Sequence, residues 1–129
     1  MASRSITLTY EGKIVSVNEW KQPVDHGRRM IKTPRYRAFS QELVGEFFVQ
    51  RMKQNFAPIT VPCEAVVIVS LPDSWDTSNI TKPLFDALEE AAVVENDRLI
   101  ESYTMMRTPI PFPKGTGCIG ITITEKETT

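Results

Sequence analysis

The sequence predicts one α+β (mixed α/β) domain, a mixed β-sheet of about four to five strands with two helices, in the order β-(β)-α-β-α-β-β. Three observations lead there. The chain opens with period-2 alternation, three- and four-residue apolar spacing follows Thr33-Pro34, and a β-branched run from Ile59 to Leu71 stands between two helical patterns. At 129 residues the chain suits a single core and is too short for two. Its 41% hydrophobic and 24% charged residues are ordinary for a globular protein, and no apolar run reaches the roughly 18 to 20 residues that cross a bilayer. The first residues lack the apolar stretch and cleavage pattern of a secretory signal, so the expected location is cytoplasmic.

The elements follow in order. From Arg4 to Tyr10, Ile6, Leu8 and Tyr10 alternate with Ser5, Thr7 and Thr9, as in a half-buried strand. Glu11-Gly12 reads as a turn and Lys13 to Val17 as a further short strand. Asn18 to Lys32, with Pro23 and Gly27 and no sustained period, reads as a loop. Thr33 can cap and Pro34 can open a helix of about 20 residues, whose stripe takes in Phe39, Leu43, Val44, Phe47, Phe48, Arg51 and Met52. It should end near Asn55 to Pro58. Ile59 to Leu71 is apolar on both alternations, which predicts a central strand covered on two sides. A second helix lies between Asn79 and Ala92 and buries Leu84, Phe85, Leu88 and Ala92. Because Pro83 is tolerated only near the beginning, this helix should start between Asn79 and Thr81. Leu99 to Thr108 and Cys118 to Glu125 are strands joined by the Pro/Gly loop Pro109 to Gly117. Cys63 and Cys118 have no metal-ligand or disulfide spacing and read as core residues.

The net charge of −1 hides an uneven distribution. Lys21, Arg28, Arg29, Lys32, Arg35 and Arg37 cluster with only Asp25 opposing them. From Asp73 to Glu101 there are eight acids against Lys82 and Arg98. Two accounts fit: a polyanion clamp beside a cation site, or two solvated faces.

The run "DTSNITKPLFDAL", Asp76 to Leu88, places an acid, hydroxyls, an amide and a lysine at a helix start. Carboxylate oxygens with a lysine at the positive end of a helix suit a phosphate and Mg²⁺ together, particularly if the turn Glu95-Asn96-Asp97 converges on them. The same residue types also cap helices for purely structural reasons. Asp86, one turn after Lys82, reads as its ion-pair partner.

This run, with "NDRLI" after it, resembles the signature of the RusA family of Holliday junction resolvases, Asp-x-Asp-Asn-x-x-Lys-x-x-x-Asp-Ala-Leu followed further on by Asp-Asp and a hydrophobic strand. Asp76, Asn79, Lys82, Asp86, Ala87, Leu88 and Asp97 fall on matching positions. The opening "SITLTY" and closing "GITITE" are similar to the family's layout more loosely. The resemblance implies a bacterial or phage-encoded homodimer that binds four-way or branched DNA and nicks it with Mg²⁺ (or Mn²⁺) in recombination and repair. Carried over, Asp76, Lys82 and Asp97 are the catalytic residues, and Asp76, Asp97 and Ser78 take the metal positions. Asn79 and Asp86 support them from behind. Lys21, Arg28, Arg29, Lys32, Arg35 and Arg37 are candidates for the DNA backbone, with Trp20 and Tyr36 for stacking on bases.

Two positions depart from the pattern: Ser78 stands where the second aspartate belongs, and Asn96 where the first of the later pair belongs. A hydroxyl brings no charge, so metal affinity should fall. Ser78 admits three accounts: a cap in a protein that binds junctions without cutting, a site that recruits Asp73 or Glu95, or Mg²⁺ reached through a water.

Overall fold

In the computed structural model, residues 3–16 and 21–126 are described. The elements are β1 (Ser5–Lys13), β2 (Lys21–Val24), β3 (Arg29–Lys32), α1 (Pro34–Lys53), β4 (Cys63–Ser70), α2 (Ser78–Glu90), β5 (Ile100–Arg107) and β6 (Thr116–Glu125), with a 3-10 turn at Asp97–Leu99. This is the mixed α+β domain expected. The main sheet runs β1-β6-β4-β5, antiparallel except for the parallel pair β4–β5 that α2 connects, and β2–β3 form a separate antiparallel hairpin. Among the described residues no helix is long and apolar enough to cross a membrane.

Both helices pack on one face of the sheet. Ile6, Leu8 and Tyr10 of β1, Cys63, Ala65, Val67 and Val69 of β4, and Ile119, Ile121 and Ile123 of β6 point into that core. The helices answer with Tyr36, Phe39, Leu43 and Phe47 from α1 and Ile80, Leu84, Ala87 and Leu88 from α2. Complete burial of Leu84 and Leu88 contributes about 2 kcal/mol each. Among the described residues no second layer covers the opposite face, where Val66 and Ile68 are 43% and 47% exposed. This corrects the reading of β4 as covered on two sides. An all-apolar run cannot tell one covered face from two, because β-branched residues also suit an exposed pleated face. Cys118 lies on that same outward face and is only partly covered, whereas Cys63 is buried as expected.

Helix α1 begins where Thr33-Pro34 predicted, with the Tyr36 backbone N–H donating to Thr33 Oγ1 at 3.1 Å. Its buried stripe is narrower than the spacing implied, and Phe48 and Met52 face outward at 46% and 57% exposure. The reason is position, since α1 lies along the rim of the sheet and offers a single stripe to it. Gln50 bonds both the N–H and the C=O of Thr9 at 2.8 and 2.6 Å, and Gln54 donates to Thr7 O at 3.0 Å. These amides occupy backbone groups that an edge strand leaves open.

Two local expectations change. No turn interrupts β1 at Glu11-Gly12; the strand continues to Lys13 in register with Thr116. Ile14 to Ser16 are not strand, and Val17 lies outside the described residues. The expected loop contains the hairpin β2–β3, reversed by positive-φ residues Asp25, His26 and Gly27, although Asn18, Glu19 and Trp20 lie outside the described residues. Gly117 is required by crowding. A Cβ there would come within 2.9 Å of Ile14 Cδ1 and 3.0 Å of Ser70 O.

Candidate functional site

The strand directions bring the ends of β1, β4 and β5, the start of β6 and the N-termini of both helices to one end of the sheet, the near end. The segment from Leu71 to Thr77 leaves β4 there and turns into α2.

At this turn Asp76 is exposed, and its side chain caps α2. Asp76 Oδ1 accepts from the Ser78 backbone N–H at 2.9 Å and from the Ser78 hydroxyl. Asn79 Oδ1 reaches back to accept from the Asp76 N–H at 2.8 Å. This is the reciprocal logic of a capping box, with Asp76 and Asn79 serving the free N–H groups of the first turn. The Ser78 hydroxyl, followed by its backbone N–H and then the Asn79 backbone N–H, holds the Asp76 carboxyl below its ordinary value, with smaller help from the Arg107 charge. Asp76 is therefore ionised at neutral pH, and one of its oxygens is already engaged by Ser78. Asn79 Nδ2 also donates to Ser16 Oγ at 2.8 Å, tying the segment after β1 to the start of α2.

Lys82 lies one turn into α2, exposed, with Nζ 3.2 Å from Asp86 Oδ2. This is the pairing the i,i+4 spacing predicted. Asp86 also faces Tyr36, where burial first and then Asp86 and Glu90 push the phenol up to about 12. Tyr36 is only 1% exposed, so it cannot stack on a base as expected.

Asp97 lies elsewhere. The 13 residues of α2 separate it from Asp76, a rise of about 20 Å at 1.5 Å per residue. Its N–H donates to Glu89 Oε1 at 3.3 Å near the C-terminus of α2, at the far end. Asn96 caps the adjoining 3-10 turn, its Oδ1 accepting from the Arg98 N–H at 2.9 Å. The expected convergence of the two halves of the motif does not occur within one chain, because a parallel βαβ crossover starts and ends its helix at opposite ends of the sheet. Of the two candidate substitutes for Ser78, Asp73 is on the near-end loop beside Arg107, and Glu95 is at the far end with its N–H on Ile59 O.

Among the described residues no three His, Cys, Asp or Glu side chains gather as a metal cluster. The near-end set of one ionised carboxylate, a hydroxyl and an amide does not fit a closed multi-carboxylate cage. It does fit Mg²⁺ in its other common form, held by one carboxylate with water and a substrate phosphate supplying the rest.

Sequence reasoning missed Arg107, at the end of β5. Its guanidinium donates to the carbonyls of Leu71, Pro72 and Trp75, which fixes the loop that carries Asp76. No motif marks it, since its partners are backbone atoms. The basic candidates spread over the hairpin and the start of α1. Arg28 is exposed in the hairpin turn, Arg29 pairs with Asp25 at 2.7 Å, Lys32 Nζ lies 5.9 Å from the centre of the Tyr36 ring, and Arg35 and Arg37 are exposed in the first turn of α1. Lys21 belongs to β2, but its side chain, like Trp20, lies outside the described residues.

No protein-family model matches the chain, and no curated protein matches it in sequence.

Proposed function

We propose that the protein is a structure-selective DNA endonuclease of the RusA kind, one that resolves four-way junctions as a homodimer with Mg²⁺ in recombination and repair. The observation that carries this reading is the near end of the sheet. There Asp76, Ser78 and Lys82 of the resembling motif are exposed at the start of α2, Asn79 is half-buried between Asp76 and Ser16, and the same end carries Lys13, Arg35 and Lys114. Asp76 presents an ionised carboxylate at a fixed turn, Lys82 offers a cation one turn along, and the exposed cations of the hairpin and of the first turn of α1 contact the phosphate backbone. A Mg²⁺ ion bound at Asp76 supplies charge neutralisation and an activated water for phosphodiester hydrolysis.

A second reading, branched-DNA binding without cutting, is favoured by one specific geometry. Ser78 occupies Asp76 Oδ1 instead of providing a carboxylate, and Asp97 is at the far end. Nicking of a labelled mobile four-way junction with and without Mg²⁺ or Mn²⁺, with binding measured on the same sample in Ca²⁺ or EDTA, separates the two. Paired symmetric nicks establish the nuclease. Tight, junction-selective binding without nicks establishes the binding protein, and equal affinity for linear and branched DNA overturns both.

A further inference from the structure

A cleft of about 370 Å³ opens at the near end between the last residue of β1, the first turns of α1 and the turn before β6. Its floor is apolar, built from Ile14 and Phe39, and its rim carries Lys13, Arg35 and Lys114 against a single acid, Glu42. The volume falls in the range of small-ligand pockets.

Two features distinguish it from a chance gap between solvated side chains. The first is that none of the three cations is in an ion pair or side-chain hydrogen bond among the described residues. Arg4, Arg29, Lys82 and Lys126 have carboxylate partners, and what sets these three apart from other unpaired cations is that they line one cleft. The second is that the walls are fixed. Lys114 rides on a tight turn closed by the Thr116 N–H and hydroxyl on Pro113 O at 3.0 and 2.7 Å, and the Ile14 N–H donates to Gly115 O at 3.0 Å. Three cations lining one cleft with an apolar floor match a phosphodiester with its nucleoside attached. The floor also leads to the Asp76 turn, because Ser16, two residues past Ile14, accepts from Asn79.

We infer that this cleft seats one backbone phosphate and its unpaired nucleotide, on the strand that passes to the Asp76 turn. The inference rests on the nucleic-acid reading of the protein and adds Lys13 and Lys114 to the residues that contact DNA. It also separates the cleft from the hairpin, since only Arg35 belongs to the basic cluster visible in the sequence.

The test compares Lys13→Glu/Lys114→Glu with Lys53→Glu, a charge reversal at an exposed lysine on the last turn of α1. Affinity for a four-way junction and for single-stranded DNA is measured against salt concentration, and dTMP is titrated against the ¹⁵N-labelled protein. Loss of that one phosphate contact lowers affinity by about 5-fold at 0.15 M salt and flattens the salt slope by about 1, whereas Lys53→Glu leaves both unchanged. Shifts in the Gly115 and Thr116 amides with dTMP support the same assignment, and their loss in the double variant ties them to the two lysines. If the double variant binds the junction as tightly as the parent, the cleft assignment falls while the junction reading stands. If the parent does not distinguish branched from linear DNA but the double variant weakens both, the junction reading falls and the cleft stands. If the parent neither binds DNA nor responds to dTMP, both fall.

Discussion

The two ends of the sheet treat several of their charges differently. At the far end Arg4 forks onto Glu125 with 3.0 and 2.8 Å bonds, Lys126 pairs with Glu101 at 3.2 Å, and Arg51 donates to the carbonyls of Phe56 and Ala91. The Arg4 fork holds the Glu125 carboxyl below its ordinary value. At the near end Lys13, Arg35 and Lys114 have no such partners, and Asp76 is ionised and open to solvent. Unmatched charge at a surface gains little from the fold and attracts a charged ligand from outside. The proposed recognition surface therefore lies at one end, and the two halves of the "DTSN…NDR" pattern lie at opposite ends of the sheet.

Nicking by point variants would strain this division most. Lys82→Ala and Asp76→Asn are expected to reduce junction nicking by about 100-fold or more while junction affinity changes little. Asp97→Asn, at the far end, is expected to reduce it by less than about 10-fold, a small share of that loss. Single-turnover nicking of the three variants measures this directly. An Asp97→Asn defect as deep as that of Asp76→Asn would mean that a second chain brings its far end to the first chain's near end.

The asparagines sharpen the same contrast at smaller scale. Asn79 holds both the Asp76 N–H and Ser16, so Asn79→Ala should cost about 1 to 2 kcal/mol in urea unfolding. Asn96 caps only a three-residue turn, and Asn96→Ala should cost about half a kcal/mol.

Proton titration isolates Ser78. Because the folded Asp76 carboxyl lies below its ordinary value, its contribution is present above the ordinary carboxylate range and is lost as pH falls through the folded value. Ser78→Ala should move Asp76 up toward the ordinary value and narrow that acid-sensitive window, as read by carboxyl carbon shifts. An unmoved Asp76 titration would remove Ser78 as the main cause. The smallest effect belongs to the exposed pair Lys82 and Asp86, for which a double-mutant cycle should return about 0.3 to 0.5 kcal/mol.

Much of the fold was legible because it is written in periodicity. The alternation of Ile6, Leu8 and Tyr10, the Thr33-Pro34 cap and Leu84 and Leu88 of the α2 stripe depend on local chemistry and hold, whereas Phe85 is only half-buried and Ala92 lies past the end of α2, which starts at Ser78. What failed was information about neighbours. Nothing in "CEAVVIVS" tells whether a second layer covers Val66 and Ile68, and nothing in the stripe of α1 tells that Phe48 and Met52 lie beyond the rim. The site was legible in the same proportion. Asp76, Ser78 and Asn79 meet because they are close in sequence at one helix start, and Lys82 pairs with Asp86 for the same reason. Arg107, Lys13 and Lys114 reach the near end only through strand order, and Asp97 is kept from it by the length of α2.

Strand β6 lies in the middle of the sheet yet follows every other element in the chain. Its residue Thr124 bonds across to Ser5, 119 positions earlier, and its other edge carries β4. During synthesis β1 and β4 therefore emerge long before the strand that joins them, each with open backbone groups and an apolar face seeking cover. Such long-range closure is slow and leaves the nascent chain open to stray strand pairing, so the growing polypeptide should be an early client of holding chaperones until Thr116–Glu125 has been made.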